Sequence, residues 1–221
     1  GIKTYAFPET TARFVRVTIT GAAPDPDAVI YQTAPQPAKQ YRLDEFIVHT
    51  GARVDRWQDK AGFNLIYEYH VAPTPPVAAA SLIPAENVVD LTSKMQPDGT
   101  LRWDVPPGRW TILRMGYSLV GSRNRAGSAA GEGLEVDKLN AGHVEAYFRG
   151  YMDPIEKALG PLLGKNLRYL MMDSWEAGMQ NWTDDMIAQF RMRRGYDPRP
   201  YLPVLAGRVI GGADERARFL W

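Results

Sequence analysis

The spacing of hydrophobic and polar residues changes period along this chain. In Ala12–Thr20, Val15, Val17 and Ile19 alternate with Arg16 and Thr18, the period-two pattern of a strand with one buried face. Tyr41–His49 alternates again, with Leu43 and Ile47 on one face, and Pro24, Pro26, Pro35 and Pro37 mark a long loop between the two. Proline-rich Ala72–Ala80 reads as a linker. Val88–Leu91 and Leu101–Val105 read as short strands around a Pro97-Asp98-Gly99 turn. Pro106-Pro107-Gly108 is a further turn, and Arg109–Val120 predicts a strand whose apolar mass is Trp110, Ile112 and Leu113.

In the second half the period lengthens. Asn140 is placed to cap a helix carrying Val144, Tyr147, Phe148 and Tyr151 at helical spacing. Asp153-Pro154 suits a helix restart, with Ile155, Leu159 and Leu162 as its face. Leu167–Met172 is a short apolar run that predicts a buried strand, Tyr169, Met171 and Asp173 sharing one face. Thr183 is placed to cap the next helix. Asp184 and Asp185 then sit in its first turn, Arg191, Arg193 and Arg194 in its last, and Gly195 ends it; both charge clusters suit the helix dipole. Helix, strand, helix fits the opening units of a (β/α)8 barrel. The fold class expected is therefore α/β. A β-rich N-terminal part over residues 1–50 and a β-rich connecting region over 51–108 precede the first part of a barrel over 109–221.

Composition narrows this only a little. The chain has 221 residues, 45% hydrophobic and 23% charged, with a net charge of +1, which gives no footprint for nucleic acid or an anionic membrane surface. It has no cysteine, which removes disulfides and thiolate metal sites and leaves the compartment open; periplasmic or extracellular is favoured over cytoplasmic. No transmembrane run or signal peptide is present. The chain opens without Met and closes on a helix cut short at Trp221, as expected of a piece of a longer polypeptide.

Candidate chemistry gathers after the apolar run. Asp173, Trp175, Glu176, Gln180, Asn181 and Trp182 crowd one strand end, where α/β enzymes place their sites. Carboxylates beside flat apolar rings suit a sugar: rings stack on pyranose C–H faces and acids handle protons. The plainer reading is a strand end with solvated charges and core tryptophans. Upstream, Gly121–Gly133, containing Asn124, lacks a phosphate-loop signature and reads as a loop over a substrate pocket. In Glu135-Val-Asp137-Lys138 the two acids share parity, with Lys138 opposite; the pair suits a cation, sugar hydroxyls or a solvated strand end. His143 reads as surface or packing.

Ordered segments of the second half resemble the glycoside hydrolase family 106 α-L-rhamnosidases. They are Trp110–Tyr117, Gly133–Lys138, Asp173-Ser-Trp-Glu-Ala-Gly178 with Asn181-Trp-Thr183, and Arg194-Gly-Tyr-Asp197 followed by Leu202-Pro203. The Phe7–Val17 and Tyr41–Val48 segments resemble the last strands of a galactose-binding-like jelly roll, which would make residues 1–50 the end of such a domain. The first resemblance implies an inverting exo-glycosidase that removes terminal α-L-rhamnose from plant glycosides or polysaccharides, with calcium in the site. It puts a catalytic carboxylate on Glu176 and an acidic partner on Asp173. Trp175, Trp182, Asn181, Asn124, Glu135, Asp137 and Lys138 become the expected substrate contacts, and the calcium ligands stay unassigned. The second carboxylate is expected beyond Trp221, so the 221 residues alone should not turn over substrate. The competing readings are a non-catalytic carbohydrate-binding module and a purely structural piece.

Overall fold

The structure is a computed structural model that describes residues 2–18, 43–63, 73–124, 128–172 and 175–221. The chain divides into two compact units, one of Pro8–Gly51 and one of Gly1–Phe7 with Ala52–Trp221. Among the described residues of the larger unit, the α-helices are α1 (Trp57–Lys60), α2 (Ala141–Leu159), α3 (Met186–Arg194) and α4 (Ala213–Leu220). Short 3₁₀ turns form at Ala79–Ser81, Ala85–Asn87, Thr92–Lys94 and Gly160–Leu162, and a longer 3₁₀ segment at Arg199–Ala206.

The core of the larger unit is built from Val54, Val204, Val209, Ile210 and Phe219, with Trp57, Leu82, Phe190, Tyr201 and Leu205 packed around them. Each such side chain contributes about 1.5–3 kcal/mol when fully buried. Backbone pairs fix the geometry. Ile83 N–H donates to the Val209 carbonyl at 3.0 Å, Gly211 N–H returns to Ile83 at 2.9 Å, and Val54 N–H reaches Gly207 at 2.9 Å. Phe190, Tyr196, Tyr201 and Phe219 form a chain of ring contacts with centroids 5.0 to 5.8 Å apart, joining α3, the long 3₁₀ segment and α4. Buried charges are paired, as their desolvation requires. Asp59 accepts from Lys3 Nζ at 2.5 Å and Arg56 Nε at 2.8 Å, which fastens the N-terminal residues to α1. The Arg216 guanidinium donates to the Ile210 and Gly211 carbonyls, and burial lowers its pKa.

The helical expectations need two revisions, one at Pro154 and one at the start of α3, which begins at Met186 with Asp185 as its N-cap, so Asp184 and Asp185 do not lie in its first turn. Asn140 caps α2, its side-chain oxygen accepting from His143 N–H at 3.2 Å. α2 does not restart at Asp153-Pro154: Pro154 lies inside one continuous helix that ends at Gly160. α3 ends at Gly195 in the left-handed conformation, φ 75°, with Arg191, Arg193 and Arg194 in its last turn.

The β expectations are overturned. Among the described residues no strand forms, and pairing is confined to isolated bridges such as Met95–Leu101 and Arg123–Leu134. The α/β class, with a β-rich N-terminal part leading into the opening units of a (β/α)8 barrel, is therefore corrected, among the described residues, to helices and 3₁₀ turns joined by segments that pair only at isolated bridges. Residues 12–18 and 43–49 are exposed, Val15 and Val17 included; residues 19, 20, 41 and 42 of those segments lie outside the described residues. Arg109–Val120 is exposed throughout, and Tyr169, Met171 and Met172 are 86%, 94% and 88% exposed instead of buried. The physical reason is that alternation and apolar runs record which face gains from burial. A strand also needs a neighbouring backbone to take its N–H and C=O groups. At Pro97-Asp98-Gly99 that neighbour is local and the turn forms, with Gln96 N–H donating to the Thr100 carbonyl at 2.8 Å.

Candidate active site

The expected site residues lie in two segments far apart in sequence, and the fold brings them together. The first runs from Ser122 to Asn140. Asn124 closes its loop with both ends of its side chain, donating to the Gly131 carbonyl at 2.8 Å and accepting from Gly133 N–H at 2.7 Å. Glu135 N–H then donates to the Ser122 carbonyl at 2.9 Å. At Asp137 the chain turns: Oδ1 accepts Leu139 N–H at 3.0 Å, the side-chain turn that Asp favours. That turn defeats the strand-parity expectation for Lys138, whose ammonium swings back to Glu135 Oε1 at 3.1 Å.

The second segment runs from Trp175 to Asp185 and is clasped to the first. Lys138 Nζ donates to the Glu176 carbonyl at 3.1 Å and lies 5.4 Å from the centre of the Trp175 ring. The Gln180 amide makes two bonds: its oxygen accepts Lys138 N–H at 2.8 Å and its nitrogen donates to the Val136 carbonyl at 2.7 Å. Buried Thr183 donates its hydroxyl to Asp137 Oδ2 at 2.7 Å. It does not cap α3 as expected, because the helix begins two residues later and Asp185 occupies the N-cap. Asn181 points the other way and donates to the Ala61 carbonyl at 2.8 Å, anchoring the segment to the end of α1.

Between these ties the backbone is forced. Ala177 has φ 61° and Gly178 φ 87°, two left-handed residues in succession. For Ala177 that conformation costs about 1–2 kcal/mol. The tight turn lets Trp175 Nε1 donate to the Gly178 carbonyl at 3.0 Å, which fixes the indole while leaving the residue 48% exposed. Glu176 is exposed at the crest of this turn. Its backbone carbonyl is the group that Lys138 holds, so its position is set by the main chain. Asp173 and Ser174 lie outside the described residues.

Flanking the cluster, Trp182 packs against Tyr117 with ring centres 6.2 Å apart, and Tyr117 donates its hydroxyl to Asp184 at 2.8 Å. That bond raises the Tyr117 pKa, because the carboxylate favours the protonated phenol. His143 is exposed, 3.7 Å from Asp137. Beside Lys138 an open cleft of about 510 Å³ runs along α2, lined by Leu139, Val144, Phe148 and Arg149 among others. Tyr117 was not singled out from the sequence, and Gln180 was legible only as one more polar residue of the cluster. Their roles depend on contacts across 42 to 67 positions, and no local pattern encodes those.

Among the described residues, no three His, Asp or Glu side chains converge as a metal-ligand set. Glu135 and Asp137 are turned to Lys138 and Thr183.

Comparison with known proteins places the chain in a class. The α-L-rhamnosidase family model, glycoside hydrolase family 106, matches residues 10–221, and the chain belongs to this family. Among solved structures it resembles a rhamnosidase from Novosphingobium sp. PP1Y, with a TM-score of 0.66 and 37% identity over 80% of this chain. It is also 37% identical, over 153 residues or 69% of this chain, to a Formosa agariphila protein provisionally named a beta-glucuronidase. The chain spans 17% of the length of the former and 13% of the latter.

Proposed function

We propose that these residues form one side of the active site of an inverting exo-glycosidase that removes terminal α-L-rhamnose from a glycoside or polysaccharide, with Glu176 as the general acid. The observation that carries this reading is an exposed carboxylate held on a strained, braced turn beside a half-exposed indole, in a chain of a glycoside hydrolase family. In inversion one carboxyl protonates the leaving oxygen while a second, about 6.5–9.5 Å away, activates water from the opposite face. Glu176 takes the first role. The rings of Trp175 and Trp182 supply apolar surface for the sugar, and the cleft beside Lys138 suits the aglycone. Asp173 tunes the charge around Glu176 or contacts sugar hydroxyls. On this reading the base comes from elsewhere in the natural polypeptide, and the 221 residues alone give no turnover. Calcium belongs to the reading by family only, and loss of activity on chelation would support it.

The provisional name of the Formosa agariphila relative favours a second reading, a glucuronide substrate. Rhamnose is preferred, because the family description and the solved structure that matches over more of this chain both concern rhamnosidases. The natural polypeptide offered aryl α-L-rhamnoside and aryl β-D-glucuronide in parallel should hydrolyse the rhamnoside. Turnover of the glucuronide alone would replace this reading.

A further inference from the structure

We infer that Gln180 is a positioning residue for Glu176, acting through the turn at Ala177 and Gly178. The inference rests on Glu176 being the general acid. Both ends of the Gln180 amide are taken by the backbone of one neighbouring segment, the oxygen by Lys138 N–H at 2.8 Å and the nitrogen by the Val136 carbonyl at 2.7 Å. A side-chain amide here takes the place of a peptide group in a strand ladder, and registers 175–183 against 136–138 where no strand does so. Besides the tie of Asn181 to Ala61, two other fasteners join the same two segments, Lys138 Nζ to the Glu176 carbonyl and Thr183 to Asp137. The three are not equivalent. Thr183 lies at the far end, next to α3, and the Lys138 ammonium is shared with Glu135. Gln180 alone makes two bonds, two residues after the turn.

The strain at Ala177 explains why such a clasp bears on chemistry. A non-glycine residue at φ 61° keeps that conformation only while its surroundings hold it there. Without the Gln180 bonds the turn relaxes toward negative φ, and Glu176, one residue before it, moves with it. Gln180 touches no substrate in this account. Its effect is to keep the acid within proton-transfer reach of the glycosidic oxygen, where a displacement of about 1 Å lowers the rate by about 10²-fold.

This makes a prediction that a merely structural role does not share. An acid matters most when the leaving group is poor, and an activated aryl leaving group needs little protonation. In the natural full-length polypeptide, Gln180→Ala should lower kcat on methyl α-L-rhamnoside by about 10- to 100-fold, and on a nitrophenyl α-L-rhamnoside by no more than about threefold. KM should stay within about twofold on both substrates, as for an interaction felt in the transition state. Gln180→Glu keeps the acceptor for Lys138 N–H and loses the donor to Val136; it should show the same substrate contrast at smaller size. It also carries the test if the alanine variant does not fold. Equal losses on both substrates, or no loss in either variant, overturn the inference while leaving Glu176 as the acid. A Glu176→Gln variant as active as the wild type on methyl α-L-rhamnoside overturns the reading beneath it, and this inference with it.

Discussion

Gly195 and Gly207 both close a helical segment in the left-handed conformation, at φ 75° and 76°, yet a methyl group would meet different surroundings at each. At Gly195 nothing lies within 4 Å of a built Cβ, so alanine faces backbone strain alone. At Gly207 the same Cβ would fall 2.5 Å from Trp57 Cδ1, inside the packing that joins α1 to the core. Gly195→Ala should cost about 1 kcal/mol and Gly207→Ala about 2–4 kcal/mol. Thermal denaturation should then show a clearly larger fall in Tm for the second, and equal falls would mean that Trp57 swings aside freely. Only the first of these glycines was legible in the sequence. It follows an arginine cluster at the end of a periodic run, whereas Gly207 follows a proline-containing 3₁₀ segment whose ring contact comes from 150 positions upstream. Thr183 was misread for a related reason. Its hydroxyl suits a cap, but α3 begins two residues later with Asp185 at its N-cap, and the hydroxyl proton goes to Asp137 from outside the local sequence.

At the scale of elements, the caps at Asn140 and Gly195 were legible and pairings were not. Asn140 and Gly195 act within one helical turn of themselves, so local sequence specifies them. The apolar alternation of residues 12–18 and 43–49, and the run at 167–172, specify only a wish for burial; a ladder needs a partner that such patterns do not name. The joint between α3 and the long 3₁₀ segment shows a further kind of long-range tie. Asp197 accepts from Arg199 and Arg191, and Arg199 also reaches Asp90 at 2.8 Å. These bonds, those from Arg199 first, hold the Asp197 carboxyl far below the usual carboxylate range. A depressed folded-state pKa contributes stability that is present above the unfolded value of about 3.9 and lost as pH falls through the folded value. Asp197→Asn should therefore lower Tm near pH 7 by an amount worth about 1 kcal/mol, reduced by solvent exposure. The difference from wild type should shrink as pH falls from about 4 toward 2. A difference independent of pH across that window would show that the carboxylate charge is not what joins the elements.

For the whole molecule, the candidate site is an assembly of two segments about forty positions apart, and composition marked candidates without marking how they are fastened. Asp173, Trp175, Glu176 and Trp182 stood out because acids and indoles rarely crowd together without reason. Gln180 stood beside them only as one more polar residue, because an amide is informative only once its two partners are known. Glu176 as the general acid of a rhamnoside-cleaving enzyme is best probed by hydrolysis of methyl α-L-rhamnoside and a nitrophenyl α-L-rhamnoside by the natural full-length polypeptide and its Glu176→Gln variant. A loss of about 10²–10⁴-fold is expected on the methyl glycoside, the range for removing a general acid, with a much smaller loss on the activated aryl glycoside. Wild-type rates for the variant on both substrates would rule that role out and leave the braced turn as scaffolding.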